Sequence, residues 1–111
     1  MALDFSHVAI DVLLVSLDEA KQHLRLTGTA HDADVTAKLV AAQYQIVAKL
    51  GPAADATWTE ETVPPAIAHA ILILLDAFYE RRGGDEANDT LHKALEVIEL
   101  LLAPFKDPTL V

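Results

Sequence analysis

Five histidines, His7, His23, His31, His69 and His92, are the readiest proton carriers and metal ligands in this chain. Zinc held on a helix wants two ligands three or four residues apart, so that both side chains leave one face. No two of these histidines have that spacing. The run His31-Asp32-Ala33-Asp34 could touch a divalent cation. Acids at a helix start are already stabilised by the helix dipole, however, and that account needs no metal. His69, Asp76 and Glu80 fall on one helical stripe. General acid–base work needs hydrogen-bond reach, whereas seven residues of helix separate His69 from Asp76 by about 10 Å. A polar stripe at a solvent or subunit boundary explains them better. Ser16 has no base near it in sequence, and no nucleophile elbow, P-loop or dinucleotide fingerprint occurs. Cysteine is absent, which excludes disulfide scaffolds, thiolate zinc sites and cysteine nucleophiles. The expectation is no enzyme, no cofactor and no metal.

Charge and hydropathy narrow the field further. The 111 residues are one domain's length, with no room for a second core. There are 8 Lys and Arg against 17 Asp and Glu, a net charge of −9. A protein that grips nucleic acid through phosphates needs clustered cations, and these are missing. An apolar fraction of 52% excludes disorder of the whole chain. The longest unbroken apolar run near the middle is Ala70 to Leu75, far short of the roughly 20 residues that a membrane span requires. The apolar start, Val8 to Val15, is broken by Asp11 and has no basic residue before it, so it does not read as a signal peptide. A chain of this kind is expected in a cytoplasm or in something assembled there.

Four helical segments must carry whatever function exists. The first opens at Ser16, which with Glu19 has the spacing of a capping box, and ends around Leu26, Thr27 and Gly28. The second runs from about Asp32 to Leu50, where Val35, Leu39, Ala42, Ile46 and Leu50 make a helical stripe that Gly51 and Pro52 end. A connector, residues 51–63, is small and polar except for Trp58. The third segment starts at Pro64-Pro65, with Pro65 suited to a first helical position, and continues to about Arg82. The fourth runs from about Asp89 to Ala103, is ended by Pro104, and leaves an extended tail. The fold class is thus all-α: three main helices and a short N-terminal one. Residues 1–15 form an arm, 16–103 the helical domain and 104–111 the tail.

Two of these helices have apolar faces wider than a small bundle requires; a domain of 111 residues can bury one such helix centrally, or bury part of it against a neighbouring subunit. Ile67, Ile71, Leu74, Leu75 and Phe78 make one face of the third, while Ala66, Ala70, Leu72, Ile73 and Ala77 fill most of the rest. On the fourth, Val97 and Leu100 widen the face set by Leu91, Leu95, Ile98, Leu101 and Leu102. A helix apolar nearly all round must be buried nearly all round. Ile73, Val97 and Leu100 are therefore candidate subunit contacts. So is Trp58, an aromatic on a polar loop, unless it folds back over the end of the bundle. Arg81 and Arg82 either complement a helix C-terminus or meet an acidic partner surface.

Three stretches taken together resemble the head–tail connector (adaptor) proteins of long-tailed double-stranded DNA phages and prophages. They are Val15-Ser16-Leu17-Asp18-Glu19-Ala20-Lys21-Gln22-His23-Leu24-Arg25-Leu26, then Val63-Pro64-Pro65-Ala66-Ile67-Ala68-His69-Ala70-Ile71-Leu72 running into Phe78-Tyr79-Glu80-Arg81-Arg82, and finally Leu101-Leu102-Ala103-Pro104-Phe105-Lys106. The likeness covers about residues 13 to 106, and the stretch Met1 to Leu14 is longer than the pattern expects. It implies a virion protein at the head–tail junction, assembled in the host cytoplasm. About twelve copies would form a ring under the portal protein, offering a platform to the next connector, a stopper or the tail. Double-stranded DNA would pass through the lumen without specific binding, which suits a net charge of −9 per copy. The family's C-terminal part reaches toward the portal, and that role carries over to Pro104, Phe105, Lys106, Asp107 and Pro108. From the residues alone a second reading stands beside this one: a small acidic helical regulator that binds a basic protein as a dimer.

Overall fold

In the computed structural model the described residues are 12–80 and 85–106, with side chains omitted at 80 and 85–88. They form four α-helices: α1 (Leu17–Leu24), α2 (Asp32–Leu50), α3 (Pro65–Glu80) and α4 (Asp85–Lys106). A 3₁₀ turn, Gly51–Ala53, follows α2, and no strand occurs among the described residues.

Each boundary has a local cause. The Ser16 hydroxyl accepts a hydrogen bond from the Glu19 N–H at 3.0 Å, so the hydroxyl half of the expected capping box forms. At its other end α1 closes with a Schellman pattern. The Leu26 N–H bonds the Lys21 carbonyl at 2.9 Å and the Arg25 N–H bonds that of Gln22 at 3.1 Å. Arg25 therefore sits at φ 61°, a left-handed position more often given to glycine. Lys21 ties the following loop to α2. Its ammonium donates to the Gly28 carbonyl and lies 2.8 Å from Asp32 Oδ1, an ionic contact that lacks hydrogen-bond alignment. After α2, Gly51 takes φ 56°, and Pro52 sits inside the 3₁₀ turn. Pro65 opens α3 as expected.

α4 departs from expectation at both ends. It begins at Asp85, earlier than expected, in a stretch, Asp85-Glu86-Ala87-Asn88, whose lack of apolar periodicity hides the helix in the sequence. It also runs through Pro104 to Lys106 rather than stopping there, so residues 104–106 are helix and not extended tail. A proline at this position removes the bond to the carbonyl of Leu100, four residues back. Leu100 is 75% exposed, so water can serve that carbonyl instead. Beyond the proline, Phe105 packs partly on the core and Lys106 reaches Glu99 at 3.4 Å, both of which hold the last turn in helical register. The proposed tail residues 107–111, and the proposed arm up to residue 11, lie outside the described residues.

The core sits around α3. α2 and α4 both pack on it, α1 closes one end, and α2 and α4 meet each other near the Lys49–Glu99 ion pair at 3.1 Å. Val35, Leu39, Ile46, Ile67, Ile71, Leu75, Ile98 and Leu102 are fully enclosed. Each such side chain contributes roughly 1.5–3 kcal/mol by leaving water. The segment leading into α1 is held by Gln43, the one buried polar side chain among the described residues. Its Oε1 accepts from the Leu14 N–H at 2.8 Å and its Nε2 donates to the Val12 carbonyl at 2.9 Å. The amide thus substitutes for a neighbouring strand's peptide group, leaving the buried Leu14 N–H satisfied.

Candidate functional site

The residues that could have done chemistry are scattered. His23, His31, His69 and His92 are all exposed, on different elements, and His7 lies outside the described residues. Among the described residues no three His, Cys, Asp or Glu side chains converge as metal ligands would. His69 and Asp76 sit two turns apart on α3, His69 in solvent and Asp76 at its edge. An open hollow of about 350 Å³ is lined by Val12, Leu13, Thr59, Glu60 and Glu61. It holds no nucleophile–base pair and no buried acid.

The connector after α2 is a stitched sequence of turns. Asp55 accepts from both the N–H of Thr57 (2.8 Å) and its hydroxyl (2.7 Å), and those bonds, the hydroxyl's first, hold the carboxyl below its ordinary pKa. The Thr59 N–H bonds the Thr62 hydroxyl at 2.9 Å, and the Trp58 N–H bonds the Asp55 carbonyl at 3.1 Å. This frame turns Trp58 down onto the core, where it is half-buried. Its side chain thus packs partly against the core, in line with the fold-back that the sequence left open.

The surfaces are more informative than the hollows. α3 is almost wholly enclosed by its own chain. Ile67, Ala70, Ile71, Leu74 and Leu75 are buried, and Leu72, Ile73, Phe78 and Tyr79 pack partly on the core. Ile73, expected to face a neighbouring subunit, thus spends much of its area internally. α4 is different. Val97 is 45% exposed and Leu100 75%, one helical turn apart, with the exposed Pro104 four residues further on the same side. Phe105 is half-buried and Lys106 exposed, whereas Arg81, Arg82, Asp107 and Pro108 lie outside the described residues.

A second apolar face emerges on α2. Ala33, Ala37, Val40, Ala41, Tyr44 and Ala48 are all exposed, Val40 at 52% and Tyr44 at 48%. At 100° per residue they occupy a sector about 100° wide, turned away from the stripe that Val35, Leu39, Ala42 and Ile46 present to α3. The signal was in the sequence, as a repeat at gaps of four and three. The stronger core stripe masked it, and alanine barely registers in an apolar pattern. No membrane-spanning helix occurs among the described residues.

A family model described as phage gp6-like head–tail connector protein matches residues 14–100. That stretch runs from the segment clamped by Gln43 to the exposed Leu100 of α4. No match was found among curated proteins or among solved structures.

Proposed function

This chain belongs to the phage gp6-like head–tail connector family, and from that membership we propose that it forms a ring under the portal protein, continues the DNA channel and carries the next connector or the tail. The match over residues 14–100 carries the reading, because it takes in α1, α2, α3 and most of α4 together. The family is one of phage structural proteins, and on this reading the chain's work is contact.

Two physical features support the finer assignment. α2 and α4 leave apolar faces uncovered, and exposed apolar area on a small domain marks a contact surface. A net charge of −9 per copy keeps phosphates from anchoring on a channel wall. The portal contact is assigned to Pro104, Phe105, Lys106, Asp107 and Pro108. Pro104 and Lys106 are its exposed helical part, and half of Phe105 is taken by the core. The junction is built in the host cytoplasm before the tail joins.

The test is a phage that lacks this protein, complemented either with the full chain or with one truncated before Pro104. Without the protein, heads should fill with DNA and remain tailless. The truncated chain should stay folded yet fail to co-sediment with the portal. Tailed, infectious particles made in its absence would end the connector reading. A chain that stayed dimeric at every concentration and bound a basic protein would put the regulator in its place.

A further inference from the structure

We propose that the outward face of α2 receives the outward ridge of α4 from a second copy of the chain, so that copies join head to tail. The inference rests on the connector reading and adds to it the two surfaces that make the ring.

Three observations carry it. First, the two faces differ in relief. On α2, Ala37 and Ala41 flank Val40 and Tyr44, so the surface is low and a second helix can approach closely. On α4, Val97 and Leu100 stand out of the helix as a ridge. A ridge of longer side chains fits a shallow face lined by alanines better than either surface fits itself. Second, the α2 sector contains no charged residue. The nearest charges, Asp34 and Lys38, lie at its edge and already pair with each other at 2.6 Å. In a chain of net charge −9, the uncharged α2 face is where another copy meets least repulsion, while on the α4 ridge Lys93 lies one turn before Val97 and pairs with Asp89 at 3.3 Å. Third, the two faces belong to different helices that flank α3. A two-fold contact through one face leaves the other in water on both partners. Only a heterologous contact covers both faces on every copy, and such contacts propagate until they close.

Size sets the expected strength. A stable interface takes about 800 Å² from each partner. Two half-exposed large side chains with their alanines fall short of that, so a single contact is weak. Isolated copies should be monomeric when dilute and form closed particles when concentrated or when gathered on a template.

The absence of cysteine makes the test direct. Ala41→Cys and Val97→Cys are introduced separately and together, and the concentrated proteins are treated with a short bismaleimide. The double variant should give a ladder of dimer, trimer and higher bands, and each single variant should stay monomeric. Strong dimers from Ala41→Cys alone or from Val97→Cys alone would overturn the pairing in favour of a two-fold contact. Particles larger than dimers by native mass, with no ladder, would overturn the face assignment and leave the ring intact. Failure to assemble at any concentration would also overturn it, leaving the connector reading to be judged by tail joining. A ladder that appears only after residues 1–11 are deleted would give the α2 face to the chain's own N-terminal segment, again overturning the pairing. As a fold control, Val40→Asp should keep the circular dichroism and thermal midpoint of the parent while weakening assembly at least tenfold.

Discussion

α3 and the second half of α4 are both strongly apolar helical stretches, and they meet different neighbours. Every large apolar side chain of α3 is buried or packed on the core, whereas α4 sends Ile98 and Leu102 inward and leaves Val97 and Leu100 in water. Apolar breadth sets how much cover a helix needs. Position in the topology decides who supplies it. α3 is flanked by α2 and α4 and capped by α1, so the chain covers it from several sides. α4 packs chiefly on α3, and its outer side stays exposed. Of the two helices expected to need further cover, only α4 leaves large apolar side chains exposed, and α2, which raised no such expectation, leaves Val40 and Tyr44 exposed.

The sharpest way to break this comparison is to truncate one leucine on each helix. Leu75→Ala empties a fully enclosed site and should cost about 2–5 kcal/mol. At about 4–8 °C per kcal/mol for a domain of this size, the thermal midpoint falls by roughly 10 °C or more. Leu100→Ala removes a side chain 75% in solvent and should change the stability by less than about 0.5 kcal/mol, while the concentration needed for assembly rises. Calorimetry on dilute protein, paired with native mass at high concentration, reads both effects. Equal losses of stability would mean that α4 is as enclosed as α3.

A smaller effect tests the boundary between the two faces of α2. Gln43 lies beside the core stripe and grips the backbone of Val12 and Leu14. Gln43→Leu keeps the volume but leaves the buried Leu14 N–H without an acceptor, at a cost of about 1–3 kcal/mol. Urea unfolding should show this loss with no change in the assembly midpoint once folding is allowed for. If assembly weakened as much as folding, the segment entering α1 would itself be part of the contact.

Much of this was legible in the sequence, and the failures have physical causes. The Ser16 cap, the Asp32–Leu50 limits of α2 and the Pro65 start of α3 follow from local chemistry that acts within four residues. The end of α4 did not follow, because local rules make Pro104 a stop whereas Phe105 on the core and Lys106 on Glu99 hold the helix beyond it. The Gln43 clamp was illegible, since its partners are 29 and 31 residues away. The α2 face was written plainly in residues 33–48, but an exposed apolar stripe is recognised only once the other side of the helix is known to be buried. Val97 and Leu100 were legible as surplus because the fourth helix already had a complete core face without them.

The smallest effect concerns what holds α4 where the core does not. Glu99 bridges Lys49 of α2 at 3.1 Å and Lys106 of the last turn at 3.4 Å. The hydrogen bond from Lys49, with lesser help from Lys106, holds its carboxyl below the ordinary glutamate pKa, against the opposing effect of partial burial. Lowered in the folded state, that pKa gives a stabilisation present in full above the ordinary value, near 4.3, and lost as the pH falls through the lowered one. The groups are largely in solvent, so the contribution is under about 1 kcal/mol and is screened by salt. Amide exchange localises it. Between neutral pH and about pH 3 the last turn of α4 should lose protection beyond the intrinsic pH dependence, as it should in strong salt at neutral pH. The amides of Leu74 and Leu75 should hold theirs. Glu99→Gln should remove the acid sensitivity of that turn and leave α3 unchanged. If α3 opened in step with α4, the two helices would form one cooperative unit, and the distinction between a helix covered by its own chain and one left for a neighbour would fail.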